Sequence, residues 1–423
     1  MALIDYVAIN QWPTAEETLR LLRPHIYVKG SEFKKIISDR TGKIGLELKV
    51  VEEIGAKLAF TEDIVFSSSN LLNRYFSNFS QEIREYLQLF GSRYSLSEIQ
   101  AALDQMASLK VLVIGDTIID EYKYCQVLGK SSKDPILVLK FAFQDLFAGG
   151  IIAVANHVSQ FAGQVDLVTV LGEENSREDF ILTKLNPRVT PKFFYQPGAS
   201  TPLKKRFVDN GSFNKLLEVY EMGDQGLDQE RDPALQRWIA ERLTEYDVVL
   251  VADYGHGAIS RATSQMLSDK APFLAVNTQA NGGNRGFHTI SKYQRADYIC
   301  LAEHELRLEL RQTEGHFSQD LGALGRKFGS SYLVVTLGRE GCAVWEPQAE
   351  IVKVPAFSAK VVDRVGTGDA FLSLTALAAR LSVPGEILGF LGNIIGSLAV
   401  EVIGNQKTVD KGSVEKFATA LLK

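Results

Sequence analysis

The chain has 423 residues, more than the roughly 100–200 residues of a typical single domain, so we expect at least two domains. Its composition is 45% hydrophobic and 23% charged, which matches soluble globular proteins and argues against the disordered, fibrous and membrane classes. The net charge of −5 lacks the basic excess of nucleic-acid and anionic-membrane surfaces, so we expect no nucleic acid and no membrane as a partner.

The three cysteines, Cys125, Cys300 and Cys342, are widely spaced. No pair has the C-x-x-C spacing of zinc and redox sites, so reduced structural thiols are expected. Asp5 and Gln11 interrupt the first apolar stretch, and no run approaches the ~20 apolar residues that span a bilayer. We therefore expect a cytoplasmic protein.

Residues 1–80 are predicted to form a small separate unit. Two strands, Tyr6–Ala8 and His25–Lys29, flank a helix at Ala15–Leu22 that Thr14 could cap. A parallel sheet of this size can scarcely bury both of its faces. The unit is therefore expected either to pack on the rest of the chain or to be completed by another subunit.

Residues 81–108 are predicted to form a helical connector. Their apolar stripe is broken at Gly91-Ser92. It consists of Ile83, Tyr86, Leu87 and Phe90, followed by Leu96, Ile99, Leu103 and Met106.

Residues 109–423 alternate short β-rich apolar runs with amphipathic helical segments. The predicted strands are Lys110–Ile114, Val165–Val170, Asp247–Ala252, Phe273–Asn277, Ala296–Leu301 and Tyr332–Thr336. The predicted helices are Asp232–Tyr246, Arg261–Lys270 and Ser318–Phe328. This alternation predicts an α/β fold with a mostly parallel sheet covered by helices on both faces.

The strongest local signal is the segment Asp363–Phe371, D-R-V-G-T-G-D-A-F, which runs into the helix-like stretch Leu372–Leu381. Glycines at 366 and 368 let backbone N–H groups converge at a helix N-terminus, which is a ready anion site. Asp369 could take a proton from an acceptor hydroxyl in a phosphoryl transfer. A plain strand-to-helix turn capped by Asp369 explains these residues equally well on local sequence alone.

This segment resembles the D-x-x-G-A-G-D signature of ribokinase-like (PfkB) carbohydrate kinases, with Thr367 in place of Ala. The resemblance implies that Asp369 is the catalytic base and that Gly366, Thr367 and Gly368 form the anion hole. It implies ATP as the phosphate donor, assisted by Mg²⁺. It also implies a ribokinase-like central sheet with a small β lid.

The sugar side of the site is expected at the start of this domain. Val111–Gly115 runs into Asp116 and Asp120, resembling the G-D-x-x-x-D start at which family carboxylates bind sugar hydroxyls. The alternative is a turn or cap carboxylate, and it applies to whichever of the two does not face the pocket.

A glycine pair is expected against the same sugar. Gly149-Gly150 resembles the family's Gly-Gly pair, which lets the backbone approach the substrate closely. The Asn that usually follows is absent from its place, which Ala153 occupies, and Asn156 nearby is the candidate substrate contact.

Three further segments resemble the phosphate and nucleotide side of the family site. Asp253-Tyr-Gly-His-Gly257 resembles the S-D-Y-G-K-G segment of sugar-phosphate kinases, which places Asp253 and Gly255 in a phosphate-side loop. The other assignments are Thr336, Gly338 and Gly341, from the T-x-G-x-x-G nucleotide loop, and Asn393, where Gly392-Asn393 and Gly404-Asn405 fall at the adenine-side wall. A glycine near a strand end otherwise marks only a turn.

The metal-supporting segment departs from the family pattern. The family's N-x-x-E aligns with Ala302-Glu-His-Glu305, so Glu305 remains while Ala302 replaces the Asn. We expect Mg²⁺ to be held mostly by ATP phosphates and water, with Glu305 acting through water.

Within the family, the sequence is most similar to the bifunctional heptose-phosphate kinase/nucleotidyltransferases. The segment Val113–Tyr122 carries this resemblance. Arg23–Gly30 and Phe60–Asn73 resemble the second half of their nucleotidyltransferase domain. The H-x-G-H motif belongs to the first half and is absent from this chain. Residues 1–80 are therefore expected not to transfer nucleotides, although Lys29, Gly30 and Ser67–Ser69 could contact phosphate.

The expected activity is ATP-dependent phosphorylation of a sugar or sugar phosphate. Residues 121–147 and 201–220 look like β-rich extensions, which in the family form a lid and often a dimer contact, so a homodimer is expected. The alternative is a catalytically decayed binding or scaffold protein of the same fold, motivated by Ala153 and Ala302.

Overall fold

The computed structural model describes residues 15–29, 43–60, 79–223, 226–227, 230–312, 317–358 and 360–423. The chain divides into two compact units, residues 1–77 and 78–423. The strand expected at Tyr6–Ala8, the cap at Thr14 and the phosphate contacts expected at Gly30 and Ser67–Ser69 lie outside the described residues.

The first unit contains helix α1 (Glu16–Leu22), strand β1 (Ile26–Lys29), helix α2 (Lys43–Glu53) and strand β2 (Lys57–Phe60). The two strands pair in parallel. Leu19, Val50 and Val51 form its small buried core. The expected helix and the expected strand near His25 are found within one residue of their predicted bounds.

The second unit begins with helices α3 (Gln81–Arg93) and α4 (Leu96–Gln105). Ser95 caps α4 through a capping box with Glu98, which satisfies two backbone donors at the helix start. The Phe90 ring of α3 stacks on Phe390 with ring centroids 4.2 Å apart. The segment predicted as a connector thus packs into the core of the larger unit.

Twelve further strands follow in the described residues. They are β3 (Lys110–Lys130), β4 (Leu137–Gly150), β5 (Gln164–Glu174), β6 (Val189–Ser200), β7 (Leu203–Asp209), β8 (Lys215–Glu221), β9 (Val248–Asp253), β10 (Leu274–Thr278), β11 (Tyr298–Ala302), β12 (Tyr332–Thr336), β13 (Cys342–Trp345) and β14 (Val352–Val354).

Nine α-helices of the described ranges lie between or after these strands. They are α5 (Ile151–Val158), α6 (Glu178–Lys184), α7 (Arg231–Ala240), α8 (Arg261–Lys270), α9 (Glu303–Leu310), α10 (Phe317–Phe328), α11 (Thr367–Arg380), α12 (Gly385–Ala399) and α13 (Lys411–Leu422).

The main sheet has the strand order β14-β13-β12-β11-β10-β9-β3-β5-β6. In this order, the strands from β12 to β6 run parallel to one another. Strand β13 is antiparallel to both of its neighbours, β12 and β14. All six residues of β9 are buried, as expected for a strand covered on both faces. Helices α5, α11 and α12 cover one face, while α7, α8 and α10 cover the other.

Strand β3 belongs to two sheets at once. Its first residues pair with β5 and β9 in the main sheet. Its continuation pairs with β4 and β7, and β7 pairs with β8. The resulting layer of β4, β3, β7 and β8, which we call the lid, stands at the carboxyl ends of the parallel strands. Among the described residues, the structure contains no helix of the length and apolarity that a bilayer crossing requires.

Candidate active site

An open glycine turn precedes α11, and we call it the anion turn after the ligand that the sequence predicts there. Gly366 adopts φ +81°, and a Cβ at this position would lie 2.2 Å from Asn405 Oδ1, so only glycine fits here. The N–H groups of Gly368 and Asp369 lie in the first turn of the helix and have no intrahelical acceptor. Gly368 has open space around it. Free donors at a helix N-terminus suit an anion.

Thr367 adds a side-chain donor to this turn. Its Oγ1 is buried and has no hydrogen-bond partner among the residues that the structure describes. A buried hydroxyl without a partner carries an energetic cost that a bound ligand can remove. The turn therefore fits a phosphate group better than it fits a plain structural bend.

Asp369 lies in the same turn and accepts a 2.6 Å hydrogen bond from the Tyr254 hydroxyl to Oδ1. Burial raises the pKa of Asp369 to about 6, the Tyr254 hydrogen bond and Lys204 lower it, and Asp120 raises it. A carboxylate with this pKa is ionised at neutral pH yet basic enough to accept a proton. These are the properties that a general base needs.

Tyr254 is held rigidly behind this carboxylate. Its N–H donates to Asp116 Oδ2 at 2.9 Å. Its carbonyl accepts hydrogen bonds of 2.8 Å from both Asn281 and Asn284. Because the tyrosine is 2% exposed and fixed at both backbone groups, its hydroxyl has a defined position. Tyr254 belongs to the motif Asp253–Gly257, but the sequence alone does not indicate a role for it.

Asp116 serves as the organiser of the loop after β9. Its carboxylate accepts backbone N–H groups from Tyr254, His256 and Ala258. Burial, and then the nearby Asp253, raise the pKa of Asp116. These contacts are those of a turn carboxylate, and a direct sugar contact at Asp116 stays a prediction.

Asp120 lies at the junction of the main sheet and the lid. Its Oδ1 forms an ion pair with the Arg206 guanidinium from β7. A Cβ on Gly149 would lie 2.2 Å from Asp120 Oδ2, so the glycine is needed for this close approach. Gly150 adopts φ +57° at the start of α5. The sequence grouped Asp120 with the glycine pair, and the structure places them side by side.

The side chain of Asn156 forms hydrogen bonds with the backbone. Its Nδ2 donates to the Lys184 carbonyl at 3.0 Å, and its Oδ1 accepts the Asn186 N–H at 2.8 Å. Both ends of the amide therefore fix the loop after α6. The observed contacts of Asn156 are structural, and the expected substrate contact stays a prediction.

Asp253 is also an internal anchor. Its carboxylate accepts hydrogen bonds from Lys292 at 2.7 Å and Tyr293 at 2.8 Å, and it lies 3.2 Å from His288 Nε2. Burial alone would raise the pKa of Asp253, but hydrogen bonds from His288 and Lys292 hold it well below its usual range. The observed contacts of Asp253 are structural, and the expected nucleotide contact stays a prediction. Gly255 bends the loop with φ +71°.

The expected nucleotide residues divide into two groups. Thr336 ends β12, and Gly338 follows with φ +62° and open space around it. Gly341 instead packs against β14, since a Cβ there would lie 2.0 Å from the Val354 carbonyl. Asn393 is buried in α12 and donates to the same carbonyl at 2.9 Å. Thr336 and Gly338 stay predictions, and the observed contacts of Gly341 and Asn393 are structural.

Glu305 links the start of α9 to the loop after β10. It accepts the N–H groups of Ala302 at 2.7 Å and Ala280 at 3.1 Å. Burial raises the pKa of Glu305 to about 7. Within the described ranges no group of three or more His, Cys, Asp or Glu residues could hold a metal ion. Mg²⁺ held mostly by phosphates and water, with Glu305 acting through water, stays a prediction.

An ion pair that was not predicted from the sequence connects the lid to the segment that contains the anion turn. Lys215 of β8 donates to Asp363 Oδ1 at 2.5 Å. Asp363 Oδ2 accepts the Tyr122 hydroxyl at 2.6 Å and the Gly404 N–H at 2.9 Å. Burial opposes ionisation, but the Lys215 and Tyr122 hydrogen bonds lower the pKa of Asp363. The available signal was the basic run Lys204-Lys205-Arg206 of β7 followed by Lys215 at the start of β8.

Comparison with known proteins identifies the family of the chain. A sequence profile of the pfkB family of carbohydrate kinases matches residues 108–411. The chain belongs to this family. The match begins just before β3 and includes the main sheet, the lid and the anion turn.

Curated relatives carry the name bifunctional protein HldE. The one from Trichlorobacter lovleyi is 24% identical over 314 residues, which cover 72% of this chain and 62% of the relative. The one from Desulfatibacillum aliphaticivorans is 25% identical over 320 residues, which cover 73% and 63%. The chain thus spans less than two thirds of the length of these relatives.

Solved structures share the fold. Phosphofructokinase-2 from Escherichia coli in complex with potassium has a TM-score of 0.60 at 14% identity, covering 75% of this chain and all of that one. Arabidopsis thaliana ribokinase complexed with ribose and ATP has a TM-score of 0.54 at 19% identity, covering 75% and 99%. The expected ribokinase-like α/β fold is confirmed.

Proposed function

We propose that this chain transfers the γ-phosphate of ATP to a hydroxyl of a sugar or sugar phosphate, with Asp369 as catalytic base. One observation carries the proposal. An ionisable carboxylate, Asp369, is held by Tyr254 within the open anion turn and close enough to Asp120 for the two charges to interact. Base, anion donors and sugar carboxylate are the parts that a phosphoryl transfer to an alcohol requires.

In the proposed reaction Asp369 accepts the proton of the acceptor hydroxyl as its oxygen bonds the γ-phosphorus. The bond from that phosphorus to the bridging oxygen of ADP breaks, and ADP leaves. The N–H groups of Gly368 and Asp369, with the Thr367 hydroxyl, stabilise charge on the transferring group. Thr336 and Gly338 are the proposed nucleotide contacts. Mg²⁺ supplies further charge neutralisation when bound, and Glu305 supports it through water.

The acceptor is proposed to be heptose-phosphate-like, because the matched relatives are HldE proteins. Asp120 and the Gly149-Gly150 pair would hold its hydroxyls. The lid would exclude water from the reaction. We also propose a homodimer through the outer face of the lid, where Leu217 and Val219 of β8 are 47% and 42% exposed.

ADP release tests the reaction. The purified full chain is incubated with ATP, Mg²⁺ and a panel of heptose and hexose phosphates. Asp369→Asn should reduce turnover by ~10²–10⁴-fold, the usual contribution of a positioned acid–base group. Asp179→Asn is the matched control, since Asp179 is an exposed carboxylate in the first turn of α6. Turnover of Asp369→Asn within threefold of wild type would refute the assignment of the base.

A scaffold protein of the same fold is the second candidate. Ala153 and Ala302 replace expected site residues, and Arg206 occupies one oxygen of Asp120. Against it stands the Thr367 hydroxyl, which is buried without a partner in the described structure and so favours a ligand. Calorimetry separates the two: nucleotide binding with no ADP release on any sugar would favour the scaffold.

The first unit is proposed to be a partial nucleotidyltransferase domain that does not transfer nucleotides in this chain. Among its described residues, Lys29 is paired with Glu47 at 2.7 Å, which leaves it less available to a triphosphate. We keep the proposed domain division at residues 1–80, 81–108 and 109–423.

A further inference from the structure

Lys215 is a lid residue whose ion-pair partner lies outside the lid. It lies at the start of β8, opposite Val208 of β7, and its ammonium donates to Asp363 Oδ1 at 2.5 Å. Lys205 of β7, by contrast, pairs with Glu221 of β8 and stays within the lid. Lys215 therefore joins two parts of the molecule that are 148 positions apart in the chain.

Asp363 is a buried carboxylate that is held from the lid. Its side chain is 1% exposed, whereas that of Lys215 is 29% exposed. Its Oδ2 accepts the hydroxyl of Tyr122, which is also a lid residue, and the Gly404 N–H. A buried carboxylate is costly unless a positive charge and hydrogen bonds compensate it. Lys215 supplies that charge, because Tyr122 and Gly404 are neutral donors.

The oxygen that binds Lys215 also binds the backbone just before the anion turn. Val365 donates its N–H to Asp363 Oδ1 at 3.1 Å. The main chain of Asp363 is anchored separately, since its N–H donates to the Val400 carbonyl at 3.0 Å. Lys215 thus acts through the carboxylate. A shift of that carboxylate would move the Val365 backbone and, with it, the Gly368 N–H that is proposed to bind the transferring phosphate.

We propose that Lys215 is a positioning residue through which the lid sets the geometry of the anion turn. This rests on the proposed kinase function, which assigns the turn to the transferring phosphate of ATP. Lys215 holds the Asp363 carboxylate, and that carboxylate holds the Val365 N–H. A residue of the lid over the acceptor therefore controls the donors for the phosphate and not the binding of the acceptor. Misplacing such groups by about 1 Å costs on the order of 10²-fold in rate.

Kinetics of the full chain test the direction of this effect. Lys215→Met should lower kcat by about 10–100-fold and leave the KM for the acceptor nearly unchanged. Lys215→Gln keeps a donor without the charge and gives the same test if Lys215→Met does not fold. Lys205→Met is the matched control, since it breaks a partly exposed ion pair inside the lid. It should leave kcat nearly unchanged, because such pairs contribute little.

Chemical rescue tests whether the ammonium itself is needed. Propylammonium corresponds to the part of the side chain that Lys215→Ala deletes, and the partial exposure of Lys215 gives it access from solvent. It should restore much of the lost kcat. Tetramethylammonium carries the same charge without an N–H to donate, so it should restore none. Equal effects of the two cations would contradict a specific contact with Asp363.

Hydrogen exchange separates this inference from the kinase proposal, because it needs no turnover. In Lys215→Met the backbone amides of residues 364–370 should exchange about 10–100-fold faster, while those of the buried strand β9 should not change. Faster exchange in the turn without ADP release from any sugar would support the coupling and refute the kinase proposal. Unchanged exchange in a chain that releases ADP would overturn the coupling alone. A loss of kcat in Lys205→Met equal to that in Lys215→Met would also overturn it.

Discussion

The bond from Tyr254 to Asp369 makes a prediction about pH dependence. Tyr254→Phe removes the hydroxyl that donates to Asp369 Oδ1 at 2.6 Å and keeps the ring that fills the same space. The other charged groups that act on Asp369 are Asp120 of β3 and Lys204 of β7, and both stay in place. Glu305, whose own pKa is raised in part by Asp369, is also unchanged. The substitution therefore isolates one hydrogen bond to the base.

The expected size follows from the strength of that bond. A hydrogen bond to a charged group is worth about 1.5–3 kcal/mol, and one pKa unit corresponds to about 1.4 kcal/mol. Since the bond stabilises the ionised carboxylate, its loss should raise the pKa of Asp369 from about 6 by about 1–2 units. At pH 7 the ionised fraction would fall from about 90% to about 10–50%, and at pH 9 it would recover.

The assay is kcat/KM measured from pH 5 to pH 9. For wild type the acid limb should fall as the pH drops through about 6, because only the ionised base accepts a proton. For Tyr254→Phe that limb should move to higher pH while the plateau is largely retained. Tyr246→Phe is the matched control, since its hydroxyl donates to Asp166 at 2.5 Å and not to Asp369. An unmoved acid limb, or equal loss at every pH, would refute the proposed link.

Two further predictions concern the anion turn and the first unit. Gly366→Ala should destabilise the fold by about 1–2 kcal/mol in urea unfolding, because φ is +81° and Asn405 leaves no space for a Cβ. Gly368→Ala should cost no stability, because a Cβ at this position would meet no other atom within 4 Å, and equal costs would contradict this reasoning. With sugar 1-phosphates and each nucleoside triphosphate, the full chain should release no pyrophosphate. Release that disappears on deleting residues 1–80 would contradict the proposal for the first unit.

The buried strands and the anion turn could be predicted from the sequence because both are local features. Tyr332–Thr336 is a continuous apolar run and forms β12 with the same bounds. Arg261–Lys270 forms α8, capped by Ser260. The turn at Gly366 could be read from neighbouring residues, since a left-handed glycine before a helix needs no distant partner.

Only the tertiary structure decided what each polar side chain does. Asp116 and Asp120 are equal candidates for a sugar ligand in the sequence. In the structure, Asp116 accepts backbone N–H groups of the loop after β9, whereas Asp120 forms an ion pair with Arg206 of the lid. Asn156 and Asn393 are predicted ligand contacts from the sequence, and the structure shows that both amides donate to backbone carbonyls. A polar group is assigned by the partner that satisfies it, and these partners are often far away in sequence.

The same reason explains why no role for Tyr254 could be predicted from the sequence. Its hydroxyl donates to Asp369, 115 positions further along the chain. Apolar periodicity along the chain determines strands and helices by itself, because burial is a property of each segment. The charge, pKa and free donors of a site arise only when segments from β3, β7, β9 and α11 come together, because electrostatic interactions depend on distance in space.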